Sequence, residues 1–293
     1  MTLSIAISVS RKKWLQHLNR GARRPNSPDG INNSYLLVSV DAFHEGEIMA
    51  RPLRFLFGVI AYFFFFATFV YLVGFVTNQY VPRSVDIGPI VGTWQAVLIN
   101  LALIALFGIQ HSVMARPGFK AALTRFWPQA IERSLYVMLT GVVLCLIYWL
   151  WRPVPDVLWS VESESVRLLI WAIAASGWGI VFISTFLISH FELFGLHQIW
   201  SDLRNRSLPA LTFRQPLFYK LVRHPIYTGF LLAFWATPDM TYGHLLFAAG
   251  MTVYIIIGIR YEERDLKNDL GEVYEDYTRQ VGMVIPGVGK NKL

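Results

Sequence analysis

Four long blocks of the chain carry no charged residue. Residues 55–77, 91–110, 134–151 and 168–189 contain no Asp, Glu, Lys or Arg, and each approaches the roughly 20 apolar residues that a helix needs to cross about 30 Å of hydrocarbon. Each reads as a spanning helix, because an ionised side chain at the centre of such a segment costs about 2.5–3.5 kcal/mol. Two further apolar runs, 225–237 and 242–259, are separated only by Pro238, Asp239, Met240 and Thr241, the pattern of a helical hairpin. Its first arm has 13 residues, about 20 Å at helical rise, and crosses only if it tilts or extends backwards past Arg223. The expected fold is an all-α, polytopic integral membrane bundle of four spanning helices plus a C-terminal helical hairpin, five to six membrane helices in all.

The distribution of basic residues orients this bundle. Twenty-three of the 26 Lys and Arg residues fall before the first block, between the second and third, between the fourth and the hairpin, or after the hairpin. The opposite connections hold only Arg83, Arg152 and Arg167, so the positive-inside rule places both termini in the cytoplasm. The formal net charge of +7 is thereby explained without nucleic acid; no helix-turn-helix or zinc-ligand pattern accompanies it. Composition agrees: 54% of the 293 residues are hydrophobic and only 15% charged, against roughly 25% charged in a soluble domain. Cys145 is the sole cysteine, which excludes an intramolecular disulfide. Residues 1–48, with Lys12, Lys13, Arg20, Arg23 and Arg24 among Asn, Ser, Pro and Gly, read as a mobile basic cytoplasmic extension, and Met49 looks like a natural start for a membrane domain over 49–293.

Polar residues gather at the cytoplasmic ends of the blocks. The second ends in Gln110, His111 and Ser112 before Arg116 and Pro117; the fourth ends in Ser189, His190 and Glu192, followed by His197. The hairpin begins at Arg223, His224, Pro225 and Tyr227 and ends at Arg260, Glu262 and Glu263. Ionisable groups so close to hydrocarbon mark a functional site by default, and four such ends on one side suggest one pocket. Pro225 suits the first position of a helix, whose N-terminus, with Arg223 and His224 beside it, favours an anion. The adjacent Glu262 and Glu263 suit a ligand rich in donors: an amine, a ribose diol or a sulfonium. No metal is expected, because the seven histidines form no HxxxH or HxxHH set.

The run Arg223-His224-Pro225-x-Tyr227-x-Gly229, then Glu262-Glu263, Leu266, Leu270-Gly271, Tyr274, Tyr277 and Ile285-Pro286 resembles the isoprenylcysteine carboxyl methyltransferase superfamily of membrane enzymes. Upstream, Gln110-His111-Ser112-x-Met114-Ala115-Arg116-Pro117 and Ser189-His190-Phe191-Glu192-Leu193-Phe194-Gly195 look like its bacterial methanethiol S-methyltransferase branch. The resemblance implies S-adenosylmethionine as cofactor, S-adenosylhomocysteine as its product, and methylation of methanethiol, a small thiol, to dimethyl sulfide at the cytoplasmic face of a bacterial inner membrane. It also implies a cofactor-binding part at about 219–290, with His224, Tyr227, Gly229, Glu262 and Glu263 as cofactor residues and Arg223 and Arg260 as second choices. Gly282 and Met283 depart from the pattern, since relatives often carry Pro there. A methyltransferase for a larger lipid or prenyl thiol or carboxylate, and a non-catalytic, denitrification-linked membrane protein, are the alternative functions.

Sulfur-to-sulfur methyl transfer brings a thiolate to a sulfonium, and spreading those charges favours a dry pocket. Burial also disfavours ionising the thiol, so a base is required. His190, oriented by Glu192, is the first candidate, with His197, Arg204 and His111 as alternatives. Trp178, Phe182, Phe186 and Phe194 are the expected walls around the thiol.

Overall fold

The computed structural model describes residues 33–208 and 215–290, with side chains from Met49 onward. Helix α1 (Asn33–Thr77) is followed by α2 (Thr93–Met114), the short α3 (Pro117–Leu123) and α4 (Gln129–Leu150). Strand β1 (Val157–Ser160) precedes α5 (Glu164–Ile188), α6 (His190–Leu193) and α7 (Leu196–Leu203). A 3-10 turn at Leu217–Lys220 leads to α8 (Pro225–Trp235), β2 (Asp239–Thr241), α9 (Tyr242–Leu270) and α10 (Glu272–Gln280). Of the expected extension, 1–32 lies outside the described residues, whereas 33–48 continue helix α1 backwards from the first span.

Among the described residues, five helices are long and apolar enough to cross a membrane: α1 from Met49, α2, α4, α5 and α9. Helix α8 has 11 residues, about 16 Å, and does not cross by itself. The segment that follows is extended, and in it β2 pairs antiparallel with β1 (Val157 with Thr241, Trp159 with Met240, Ser160 with Asp239). Non-helical backbone is tolerated at membrane depth when protein buries it and satisfies its hydrogen bonds. Here Val161 N donates to Pro238 O, Tyr242 N to Asp156 O and Gly243 N to Val154 O. The hairpin is therefore a helix, a strand and a helix, and the ribbon at its tip departs from an otherwise helical fold.

Helix α4 is the central element: 61% of its span is buried, against 17% for α5. Helix α1 packs along α4, and α5 along α8. The second pair approaches closely because two glycines face each other: a Cβ on Gly229 would stand 2.6 Å from Gly177 O, and one on Gly177 would stand 2.7 Å from Gly229 O. Toward the ribbon, Phe75, Trp151, Phe234 and Phe247 interlock, and Asn100 closes both backbone groups of Arg152. Asp239 takes a bidentate bond from Arg167 at 2.9 and 2.7 Å. That contact, aided by Ser160, holds the Asp239 carboxyl below its usual range. A depressed carboxyl stabilises the fold above its unfolded pKa of about 3.9 and loses that contribution as pH falls through the folded value. Asp239→Asn is thus expected to lower the thermal midpoint slightly at neutral pH, and thermal scans should show the gap from wild type closing in acid. A gap that persists at low pH would contradict this account.

Candidate active site

The beginning of α8 and the end of the apolar part of α9 meet at one end of the bundle. Pro225 occupies the first helical position, where its missing N–H costs nothing, and this sets Arg223 and His224 immediately outside the helix. Arg223 Nε donates to Glu263 Oε1 at 2.7 Å, and His224 Nε2 donates to the same oxygen at 3.0 Å. The carboxylate that the N-terminal end of α8 attracts is thus the protein's own Glu263. Arg223 also donates to the carbonyls of Val281 (2.6 Å), Thr278 (3.3 Å) and Gly289 (3.2 Å). The departure from the family pattern falls in this segment: Gly282 O and Met283 O accept from the amides of Arg223 and His224, and a Cβ on Gly282 would stand 2.3 Å from Ile285 O.

Glu262 points elsewhere, since successive residues on a helix are turned by about 100°. It is 2% exposed, accepts from Tyr227 Oη at 3.0 Å and lies 4.0 Å from His224 Nδ1. Tyr136, Tyr219 and Tyr254 are within electrostatic reach of its carboxylate. Burial first, and then the charge of Glu262, push the Tyr219 phenol above its usual range, so it remains a protonated donor. The hydroxyls of Tyr136 and Tyr219 and the Oε1 of Gln110 are buried without a hydrogen-bond partner. A buried carboxylate bonded by the Tyr227 phenol, with further phenols within its electrostatic influence, is suited to a ligand bearing both positive charge and hydroxyl groups.

His111 belongs to this chamber. Its ring stacks on Phe107 and lies 4.8 Å from the Tyr136 ring and 6.1 Å from that of Tyr254, and its Nδ1 is 3.3 Å from Thr140 Oγ1. At the end of α2, Arg116 binds Asp265 at 3.2 Å and stacks over Tyr261, which ties α2 to α9.

His190 lines a neighbouring cavity of about 440 Å³, counting the part open to the surface, with Tyr62, Phe65, Phe69, Phe182, Thr185, Phe194 and Phe230 among its walls. Phe182 and Phe194 are in the wall as expected; Phe186 instead stacks on the His190 ring at 4.1 Å, and Trp178 backs Phe69 and Phe230. Both nitrogens of His190 are engaged, Nδ1 with Thr185 Oγ1 at 2.8 Å and Nε2 with Tyr62 Oη at 2.9 Å. The expected orienting role of Glu192 is corrected accordingly: Tyr62 and Thr185 hold the ring, and the described contact of Glu192 is its backbone carbonyl, which accepts from Gln198 Nε2. Burial lowers the pKa of His190, which keeps it neutral.

The remaining expected residues lie apart. Arg204 is exposed and stacks over Trp200 at 4.5 Å; Arg260 is exposed; His197 is half-buried on α7. Gly229 serves the contact of α8 with α5. Gly229→Ala is expected to lower the thermal midpoint, with overpacking of about 1–3 kcal/mol, while donor affinity measured by calorimetry on the folded fraction stays at the wild-type value. Arg133, which a block starting at residue 134 leaves outside, is buried; it donates to Leu193 O at 2.7 Å and lies over Tyr136 at 5.3 Å, fixing α6 against α4. Its place one residue before an apolar block was the available signal. Tyr62 and Tyr254 gave none, because a phenol within a run of aromatics (Tyr62) or of aliphatics (Tyr254) reads as packing.

No family model and no solved structure matches the chain. Among proteins, it is 50% identical over 241 residues to methanethiol S-methyltransferase 1 of Bradyrhizobium diazoefficiens, covering 82% of this chain and 85% of that one. It is 49% identical over 238 residues to the methanethiol S-methyltransferase of Mycobacterium tuberculosis, covering 81% of this chain and 98% of that one. A more distant likeness, 31% over 186 residues, is to nurim of Sus scrofa, covering 59% of this chain and 70% of that one. The buried carboxylate chamber, the aromatic cavity beside it and near-half identity along almost the full length of such relatives lead to one conclusion: the chain belongs to the methanethiol S-methyltransferase family.

Proposed function

We propose that the protein methylates methanethiol to dimethyl sulfide, with S-adenosylmethionine as methyl donor. The carrying observation is a buried carboxylate, Glu262, bonded by the Tyr227 phenol, in a protein that also holds an aromatic cavity lined by Tyr62, Phe182, His190 and Phe194. Tyr136 packs in one cluster with Phe194, and Tyr62 and Phe65 pack against that cluster, while Phe230 lies one turn beyond Tyr227 on α8. Glu262 and Tyr227, with the hydroxyls of Tyr219 and Tyr136, would hold the donor, and the leftover buried polar atoms support that fit. The chemistry supplied on binding is a methyl group on a positively charged sulfur. The chain's own residues exclude water, supply a negative charge for a cationic donor and present the thiol against aromatic faces, where sulfur makes favourable contacts. The activity resides in residues 49–293, with 219–290 forming the donor side. The bias of basic residues supports a cytoplasmic active site in an inner membrane.

The test is direct. Purified protein in detergent, given labelled S-adenosylmethionine and a series of thiols, should release labelled dimethyl sulfide from methanethiol and turn over prenyl thiols far more slowly. Preference for the large lipid thiol, or no transfer to any thiol, would refute the reading.

A further inference from the structure

We propose that His111, held by Thr140, is the group that takes the proton of the thiol; the proposal rests on the thiol methylation put forward above. The hydrogen-bond chains of the two buried imidazoles distinguish them. Thr185 Oγ1 has a single proton and donates it to Phe182 O at 2.7 Å, so toward His190 it accepts, and Nδ1 of His190 carries the proton. The Nε2 lone pair then accepts from Tyr62 Oη. Both nitrogens of His190 are engaged, and protonating Nε2 requires Tyr62 Oη to turn from donor to acceptor.

Thr140 sets the same tautomer on His111 with a different outcome. Thr140 Oγ1 donates to Tyr136 O at 2.9 Å and accepts from His111 Nδ1 at 3.3 Å, so the basic nitrogen is Nε2. Among the described residues that nitrogen has no hydrogen-bond partner. The ring lies against Tyr136 and Tyr254, both within the electrostatic influence of Glu262. Tyr136 in turn packs against Phe194, with Tyr62 and Phe65 alongside, all three walls of the aromatic cavity. His111 is thus joined through Tyr136 to the cluster that walls the aromatic cavity.

The step balances. The S–H bond breaks and its proton goes to Nε2, giving an imidazolium whose Nδ1–H remains bonded to Thr140 Oγ1. The electron pair left on the thiol sulfur forms the new S–CH₃ bond as the donor's S–CH₃ bond breaks, and that pair stays on the donor sulfur, which becomes neutral.

The experiment compares methanethiol with a more acidic fluorinated ethanethiol, using full-length protein in detergent. His111→Gln should lower single-turnover methylation of methanethiol by about 100-fold, within the range of a lost general base, and leave S-adenosylhomocysteine affinity unchanged. With the acidic thiol, which ionises unaided, the deficit should shrink to less than about tenfold. His190→Gln should lose equally toward both thiols. A deficit in His111→Gln that is the same for both thiols, or a rescue by the acidic thiol seen in His190→Gln instead, would overturn the assignment. A readout independent of activity is the ¹⁵N spectrum of histidine-labelled protein, with His111 assigned by its loss in His111→Asn. It should show the Nδ1–H tautomer in wild type and a mixture in Thr140→Val; an Nε2–H tautomer in wild type would refute the proposal even if the variants fold poorly. Wild type that methylates neither thiol would instead defeat the functional reading beneath it.

Discussion

Glu262→Gln is expected to weaken binding of the methyl donor about 100-fold, roughly 2.7 kcal/mol, while leaving the unliganded protein at least as stable as wild type. Glutamine fills the same volume, so the loss isolates the negative charge. A carboxylate that is 2% exposed is costly to desolvate; Glu262 accepts from the Tyr227 phenol and lies 4.0 Å from the His224 imidazole. Removing the charge therefore relieves a cost in the free protein and forfeits a charge-charge interaction in the complex, the usual exchange of stability for function at a binding site. Calorimetry with two ligands locates the contact. If Glu262 faces the methylated sulfur, S-adenosylmethionine loses affinity and S-adenosylhomocysteine does not; if it faces the amine or ribose, both lose. Unchanged affinity for both would remove Glu262 from the donor site.

The two glutamates also show where sequence reasoning ends. Their neighbourhood was legible: an apolar block terminating in paired carboxylates, and a proline-marked helix start bearing Arg and His, are visible without coordinates and converge in space. Their division of labour was not. It depends on which side of α9 each faces, and the partner that claims Glu263 lies 40 positions upstream. The carbonyls of Thr278, Val281 and Gly289 were equally hidden, because backbone acceptors carry no sequence signal. The strands were too short for alternation to show, at four and three residues, so the hairpin tip read as a simple turn. His190 was rightly placed at the mouth of α5, but its freedom to act as a base depends on Tyr62 and Thr185, and only the hydrogen-bond chain reveals that both of its nitrogens are spoken for.

Arg223→Met is expected to produce the largest loss of stability, about 3–5 kcal/mol, the cost of breaking a buried ion pair by deleting one partner. The Arg223 side chain is 1% exposed and that of Glu263 16%. Its deletion strands Glu263 with His224 alone, and it frees the carbonyls of Val281, Thr278 and Gly289 from the guanidinium that gathers them. The remaining ties of this segment to α8 are the bonds from the Arg223 and His224 amides and from Thr228 Oγ1 to Val284 O. Hydrogen exchange should therefore rise first in residues 278–290 of the variant. Arg223→Lys should rescue little, since an ammonium cannot reproduce a planar fork that serves one carboxylate and three carbonyls. The double variant Arg223→Met/Glu263→Gln separates the two contributions. If the ion pair were the whole of the effect, removing both charges would restore most of the stability, because a buried pair replaced by neutral groups is often near neutral. The geometry requires only partial recovery, since the buried Thr278 and Val281 remain without that donor while the exposed Gly289 turns to water, a residual deficit of about 1–3 kcal/mol. Thermal unfolding in detergent of wild type, both single variants and the double variant closes the cycle. Full recovery in the double variant would show that Arg223 neutralises Glu263 and does not clamp the C-terminal segment.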